Sequence, residues 1–192
     1  MPEIDLIKRC KRGDRDAFNE LVTEYQTRVV NMAYGMLSDS DDALDAAQEV
    51  FIRVYRGIGE FQEKSSFTTW LYRITSNVCA DALRKRQKSG KVVSISLGGG
   101  DDGAETVTNI RDNAPTPEER VELTEQHKAV REAMKEIKDE YREVLTLYDV
   151  QGLSYKAISE ILKVPEGTVK SRLNRARISL KKILSEKLEL FE

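Results

Sequence analysis

Lys170, Ser171, Asn174 and Arg175 have the chemistry and the spacing to read nucleic acid. Lysine and arginine donate to guanine edges and phosphates, asparagine pairs with adenine edges, and serine contacts either. Residues three and four apart share one helix face, so these four form one donor surface. Val169, Leu173, Ala176 and Leu180 make an apolar stripe on the other side. From Lys163 to Lys182 there are seven basic residues (Lys163, Lys170, Arg172, Arg175, Arg177, Lys181, Lys182) against one carboxylate, Glu166. A merely solvated face normally mixes signs, so this bias points to DNA.

Such a helix needs something to hold it, and the preceding residues supply it. Ser154 can cap a helix whose Ala157, Ile158, Ile161 and Leu162 fall on one face. Lys163, Val164 and Pro165 break that helix, and proline suits the first turn of the next. The spacing predicts a helix-turn-helix from Ser154 to Leu184, with the basic helix as its reading element.

Other chemistries find little support. The two cysteines, Cys10 and Cys79, are far apart, and the single histidine is His127, so no spaced zinc cluster or Ser/His/Asp set can be assembled. Both cysteines and His127 fall on apolar stripes and read as core residues. Gly98 to Gly100 lie in a polar stretch with no strand before them, unlike a phosphate-binding loop. No metal, cofactor or small-molecule substrate is expected, nor catalysis. The net charge of −2 leaves nucleic-acid contact to local patches. No apolar run reaches the roughly 20 residues that span a bilayer, and no signal-peptide core is present. A soluble cytoplasmic protein in a reducing compartment is expected.

The remaining pattern is all-α. Helices are expected at about Glu3–Arg12, Asp16–Leu37 and Asp42–Arg56, and then from Phe67 into the basic cluster Arg84, Lys85, Arg86 and Lys88. The third should bury Leu44, Ala47, Val50, Phe51 and Val54. From Ser89 to about Pro117 helical periodicity stops, and glycine, proline and acidic residues predominate, as in a flexible linker. A further helix should follow, carrying Leu123, His127, Val130, Met134 and Ile137 on one stripe, and then one over about Glu140–Val150. The expected architecture is two small helical domains, 1–88 and 117–192, joined by an acidic linker, 89–116. The helix-turn-helix lies in the second, and no appended regulatory domain is expected.

Four stretches in this order resemble the extracytoplasmic-function group of bacterial sigma factors in the sigma-70 family. They are DAFNELVTEYQTRVVNMAYGML from Asp16, DALDAAQEVFIRVYRGI from Asp42, FTTWLYRITSNVCADALRK from Phe67 and GLSYKAISEILKVPEGTVKSRLNRAR from Gly152. The resemblance implies a subunit that joins core RNA polymerase, recognises promoter −35 and −10 elements and helps melt the DNA. Its implied partners are the polymerase β and β′ subunits, promoter DNA and an anti-sigma factor. Asp45, Gln48, Glu49, Ile52 and Arg53 would dock on the β′ clamp. Lys64, Ser65, Ser66, Thr68, Tyr72, Arg73, Asn77, Arg84 and Lys85 would bind the −10 strand. Gly167, Thr168, Lys170, Ser171, Arg172, Asn174 and Arg175 would bind the −35 element.

Some alternatives stay open at this stage. Trp70 can be a stacking platform or a core residue. Asp101, Asp102, Glu105 and Asp112 can imitate phosphates inside the polymerase or merely solvate a tether. A free-standing helix-turn-helix regulator with an N-terminal sensor is the rival reading, though the first half shows no α/β sensor pattern. Extended, the linker would span roughly 90–100 Å at about 3.3–3.6 Å per residue. That exceeds the roughly 70 Å of two DNA turns, so the domains need not touch on a promoter.

Overall fold

The computed structural model describes residues 3–88 and 128–189. The expected linker, together with Leu123 and His127, lies outside the described residues. All regular structure within them is helical: α1 (Glu3–Lys11), α2 (Arg15–Leu37), α3 (Ser40–Gly57), a 3-10 turn (Ile58–Glu60) and α4 (Phe67–Lys88). In the second half, α5 covers 128–136. After it come α6 (Asp139–Leu145), a π-helical turn (Thr146–Val150), α7 (Tyr155–Leu162) and α8 (Glu166–Glu189).

The helix starts are set by side-chain caps. Asp14 accepts from the Ala17 amide at 3.0 Å, Asp39 from Asp42 at 3.0 Å, and Ser66 from Thr69 at 3.1 Å. Each satisfies a backbone donor that the helix cannot, worth about 1 kcal/mol. In the first half, Leu21, Val29 and Met32 of α2, Val50 and Val54 of α3 and Leu71 of α4 are fully enclosed. The buried stripe of α3 differs from the expected one. Ala43, Ala46, Ala47, Val50 and Val54 face inward, Phe51 is only half-buried, and Leu44 is 51% exposed. The alanines lie on the side where α3 meets α2 and α4, and their small size allows a close fit. Leu44, one residue on from Ala43, is rotated off that face. Ala133 on α5 and Ile137 just after it go inward, whereas Val130, expected on the same stripe, is 40% exposed.

The second half closes around Val144, Leu147, Ile158 and Val169, all fully enclosed. The two halves then pack on each other, α4 against α7 and α2 against α6 and the π turn. At Gly35 of α2 a Cβ would stand 2.7 Å from Thr146 Cγ2 and 2.8 Å from its Oγ1. Only a glycine admits this approach. Around it, Tyr72 Oη donates to Gln151 Oε1 at 2.7 Å, and Arg73 Nη2 to the Glu160 carbonyl at 3.1 Å. Ser76 Oγ donates to Glu143 Oε1 at 2.5 Å.

Glu143 borders a polar cleft of about 220 Å³ between the halves, with Arg73, Lys163 and Arg172 around it. Burial pushes its pKa up, the Ser76 hydrogen bond and Arg172 pull it back, and Asp139 adds to the rise. Because the folded value lies above the unfolded one, the group stabilises the fold below its unfolded pKa. That contribution is lost as pH rises through the folded value. Glu143→Gln keeps an acceptor for Ser76 and removes the charge. By calorimetry the variant should melt with the wild type below about pH 4 and above it at about pH 7. A wild type that melts higher at neutral pH would instead make the charged carboxylate a stabilising partner of Arg172.

Candidate nucleic-acid interface

The helix expected to read DNA, α8, is fixed from behind before it presents anything in front. Ser154 accepts from the Ala157 amide at 3.2 Å and starts α7 as the sequence predicts. Lys163 ends α7 in the left-handed region, φ 55°. The Val164 amide then bonds back to the Ser159 carbonyl at 3.2 Å, and Ser159 Oγ to the Val164 carbonyl at 2.6 Å. The Pro165 carbonyl accepts from Thr168 and Val169 at 2.9 and 3.2 Å, opening α8. Val169, Leu173 and Ala176 are buried, and Leu180 is half-buried.

On the outer side Gly167, Lys170, Ser171, Asn174 and Arg175 are exposed, and Thr168 is half-buried. Ser171 Oγ donates to the Thr168 carbonyl at 3.0 Å. Lys170 Nζ stands 5.5 Å from the Tyr155 ring centre. The flanking arginines are restrained. Arg172 pairs with Glu140 at 3.1 Å, and Arg177 pairs with Asp149 at 2.8 Å while lying 5.3 Å over Tyr148. Tyr148 and Tyr155 stack at 5.0 Å and 13°. Sequence reasoning missed this platform, because its rings come from two elements separated by a turn. Lys181 and Lys182 lie exposed farther along.

A second surface spans the 3-10 turn, the following loop and α4. Lys64 is exposed and Ser65 half-buried, and Ser66 caps α4 while sharing a 2.8 Å hydrogen bond with Thr69 Oγ1. Glu63, with φ 57°, is tied to α1 by Lys11 at 2.7 Å. Thr68 is half-buried beside Tyr25. Burial, then the 2.8 Å hydrogen bond to Glu3, push the Tyr25 phenol up to about 12. Trp70 lies 5.1 Å from Phe61 and 5.7 Å from Phe67 between ring centres, so it packs into an aromatic cluster at the core edge. Tyr72 is 2% exposed and covered by the second half, as is part of Arg73. Asn77, Arg84 and Lys85 are exposed, Arg84 pairing with Asp81 at 2.6 Å.

The third surface is the outer face of α3. Asp45, Gln48, Ile52 and Arg53 are exposed, and half-buried Glu49 pairs with Arg53 at 2.7 Å. Arg53 also reaches Asp81 at 3.6 Å. Leu44 and Tyr55, half exposed, extend Ile52 into an apolar stripe that the sequence reading did not identify. Among the described residues no group of three His, Cys, Asp or Glu side chains could hold a metal ion. Cys10 and Cys79 are buried, and burial pushes the Cys79 thiol up to about 12, far from a nucleophile's range. No described helix is long and apolar enough to cross a membrane.

Comparison with known proteins matches residues 21–89 to Sigma-70 region 2 and residues 127–180 to Sigma-70, region 4. The chain is 36% identical to the ECF RNA polymerase sigma factor SigW of Bacillus subtilis, over 94% of this chain and 95% of that one. It is 34% identical to the RNA polymerase sigma-H factor of Pseudomonas aeruginosa, over 93% and 92%. A likeness in fold extends to CnrH, solved with the cytosolic domain of CnrY, at TM-score 0.64 and 21% identity over 94% and 96%. Bartonella quintana RpoE, solved with the anti-sigma factor NepR, also gives 0.64, at 22% identity over 88% and 96%. The chain belongs to the extracytoplasmic-function group of the sigma-70 family, and so is a promoter-specificity subunit that joins core RNA polymerase to promoter DNA for transcription initiation.

Proposed function

We propose that three faces divide this work, in the cytoplasm and with no catalysis by the chain itself. The N-terminal half of α8 reads the −35 element, the Glu60–Ser66 loop with α4 reads and holds open the −10 strand, and the outer face of α3 docks on the β′ clamp. The observation that carries this reading is the state of Asn174 and Arg175. Both are exposed and engaged by no side-chain bond within the described residues, on a helix pinned by Val169, Leu173 and Ala176. Donors held ready on a fixed scaffold suit base edges, because little side-chain order has to be broken on binding. Arg172 and Arg177, held by carboxylates at the flanks, suit phosphates. One of the two fold neighbours was solved with the cytosolic domain of CnrY, the other with the anti-sigma factor NepR. A partner of that kind is part of the proposal here.

Replacing Arg175 with alanine should cost about 1–3 kcal/mol on the preferred −35 sequence and relax preference at one or two base pairs. Lys181→Ala should weaken all sequences alike and reduce the salt slope by about 0.9. Occupancy of single-base −35 variants by holoenzyme at two salt concentrations reads both. Uniform loss with base preferences intact in Arg175→Ala would make this residue a phosphate anchor.

On α3 the apolar stripe should matter as much as the charges. Leu44→Glu with Ile52→Glu changes two exposed side chains, so helix content should stay the same while association with core polymerase is lost. Co-purification of the double variant with polymerase at wild-type yield would move the docking surface elsewhere.

A further inference from the structure

α1 takes no part in the three proposed faces, yet it reaches one of them. It is fixed to its own half by Leu6, Ile7 and Cys10, all buried, and by Glu3, which accepts from Tyr25 Oη at 2.8 Å. From its last turn Lys11 extends to the loop ahead of α4. Its Nζ lies 2.7 Å from Glu63 Oε1 and 5.4 Å from the centre of the Phe61 ring. Phe61 is itself buried against Phe67 and Trp70. The ammonium thus sits between a ring anchored in the core and a carboxylate on the loop.

The loop needs such a hold. Phe61 anchors its start and Ser66 fixes its end by capping α4, but Gln62, Glu63 and Lys64 between them are exposed. Glu63 stands at φ 57°, in the left-handed region that a residue with a Cβ seldom occupies without support. Lys11 gives that support. Its hydrogen bond and its charge, with a smaller pull from Lys8 one turn back, hold the Glu63 carboxyl below its ordinary pKa range. Lys64, next along the chain, has no side-chain bond among the described residues, so its direction follows the backbone at Glu63. An exposed ion pair adds little to the stability of a domain. It is enough to select among the conformations of a short loop, which lie close in free energy.

We propose that α1 positions the −10 reader: Lys11, without touching DNA, ties down Glu63 and so sets the loop conformation in which Lys64 and Ser65 meet the −10 strand. The inference rests on the assignment of the Glu60–Ser66 loop to that strand. Lys11 is a positioning residue, so its loss changes which bases are preferred and leaves −35 recognition as it is.

The test is run in holoenzyme, with the full chain and core polymerase. Initiation is measured from a start site mapped with that holoenzyme, on promoters varied one base at a time in the −10 and then the −35 element. Lys11→Met keeps a stem over Phe61 and removes the ammonium. Glu63→Ala removes its partner and leaves a residue that meets the same left-handed backbone. Each should reduce base preference at the same one or two −10 positions by about three-fold, with −35 preferences unchanged. The double variant should do no more than either single one, because both remove the same interaction. Lys11→Arg, which keeps the pair, should retain wild-type preferences. Uniform loss over all −10 sequences in Lys11→Met but not in Glu63→Ala would make Lys11 a phosphate contact and overturn the tether. Additive effects in the double variant, or unchanged preferences in both single ones, would overturn it as well. Lys64→Ala with Ser65→Ala separates the tether from the assignment beneath it. Shifted −10 preferences in that variant alone keep the loop on the strand and reject only the tether, whereas unchanged preferences in every variant remove the loop assignment too.

Discussion

A helix crowded with like charges cannot be positioned by those charges, and this constraint governs the second half of the protein. Seven cations face one carboxylate between Lys163 and Lys182, and alone they would repel one another and drift. Val169, Leu173 and Ala176, buried on the other side, fix α8 against the elements before it. Burying a side chain the size of valine or leucine contributes about 1.5–3 kcal/mol, several times what an exposed ion pair supplies. Two carboxylates from outside the helix, Glu140 and Asp149, then hold the flanking arginines. Of the central donors, Asn174 and Arg175 are left without a side-chain bond among the described residues, which suits the base-reading role proposed for them.

The first half solves a related problem with a different residue type. In α3 alanines occupy the buried side, so the helix lies close to α2 and α4. Its larger apolar side chains, Leu44, Ile52 and Tyr55, are then left for the surface. Exposed apolar groups among mixed charges are the composition of a protein-docking face rather than a DNA face. Among the described residues, the surfaces proposed for polymerase and for DNA are thus distinguished by what stands beside the charges. α4 is the element under most demand, packing into its own half, meeting the other half and carrying the proposed −10 contacts.

The sequence made the helix boundaries legible because caps and breakers announce them. Ser154 and the Lys163–Pro165 turn stand where their chemistry places them, whereas the Asp14 cap came only from the structure. The α8 stripe was equally legible, since large apolar residues alternate there with basic ones. Leu44 and Val130 were misplaced because hydrophobicity ranks leucine and valine above alanine, while close helix packing ranks size first. Trp70 could not be resolved by spacing, and only the neighbouring Phe61 and Phe67 show it joining a cluster. The Gly35–Thr146 approach was invisible, because a glycine in a helix does not name the distant residue that needs its space. The surfaces proposed for the −10 strand and for polymerase were suggested only by the joint order of four motifs, the basic face of α8 was suggested already by its spacing and charge, and the Tyr148–Tyr155 platform carried no signal.

The central claim, that this chain selects promoters for polymerase through two separately read elements, has one direct measurement. Purified full-length protein is mixed with core RNA polymerase and genomic DNA, and the 5′ ends of the transcripts are sequenced. The account predicts starts absent with core alone and preceded by two shared elements at a nearly constant spacing. Tight, sequence-specific DNA binding by the chain without polymerase, together with no new starts, would contradict it.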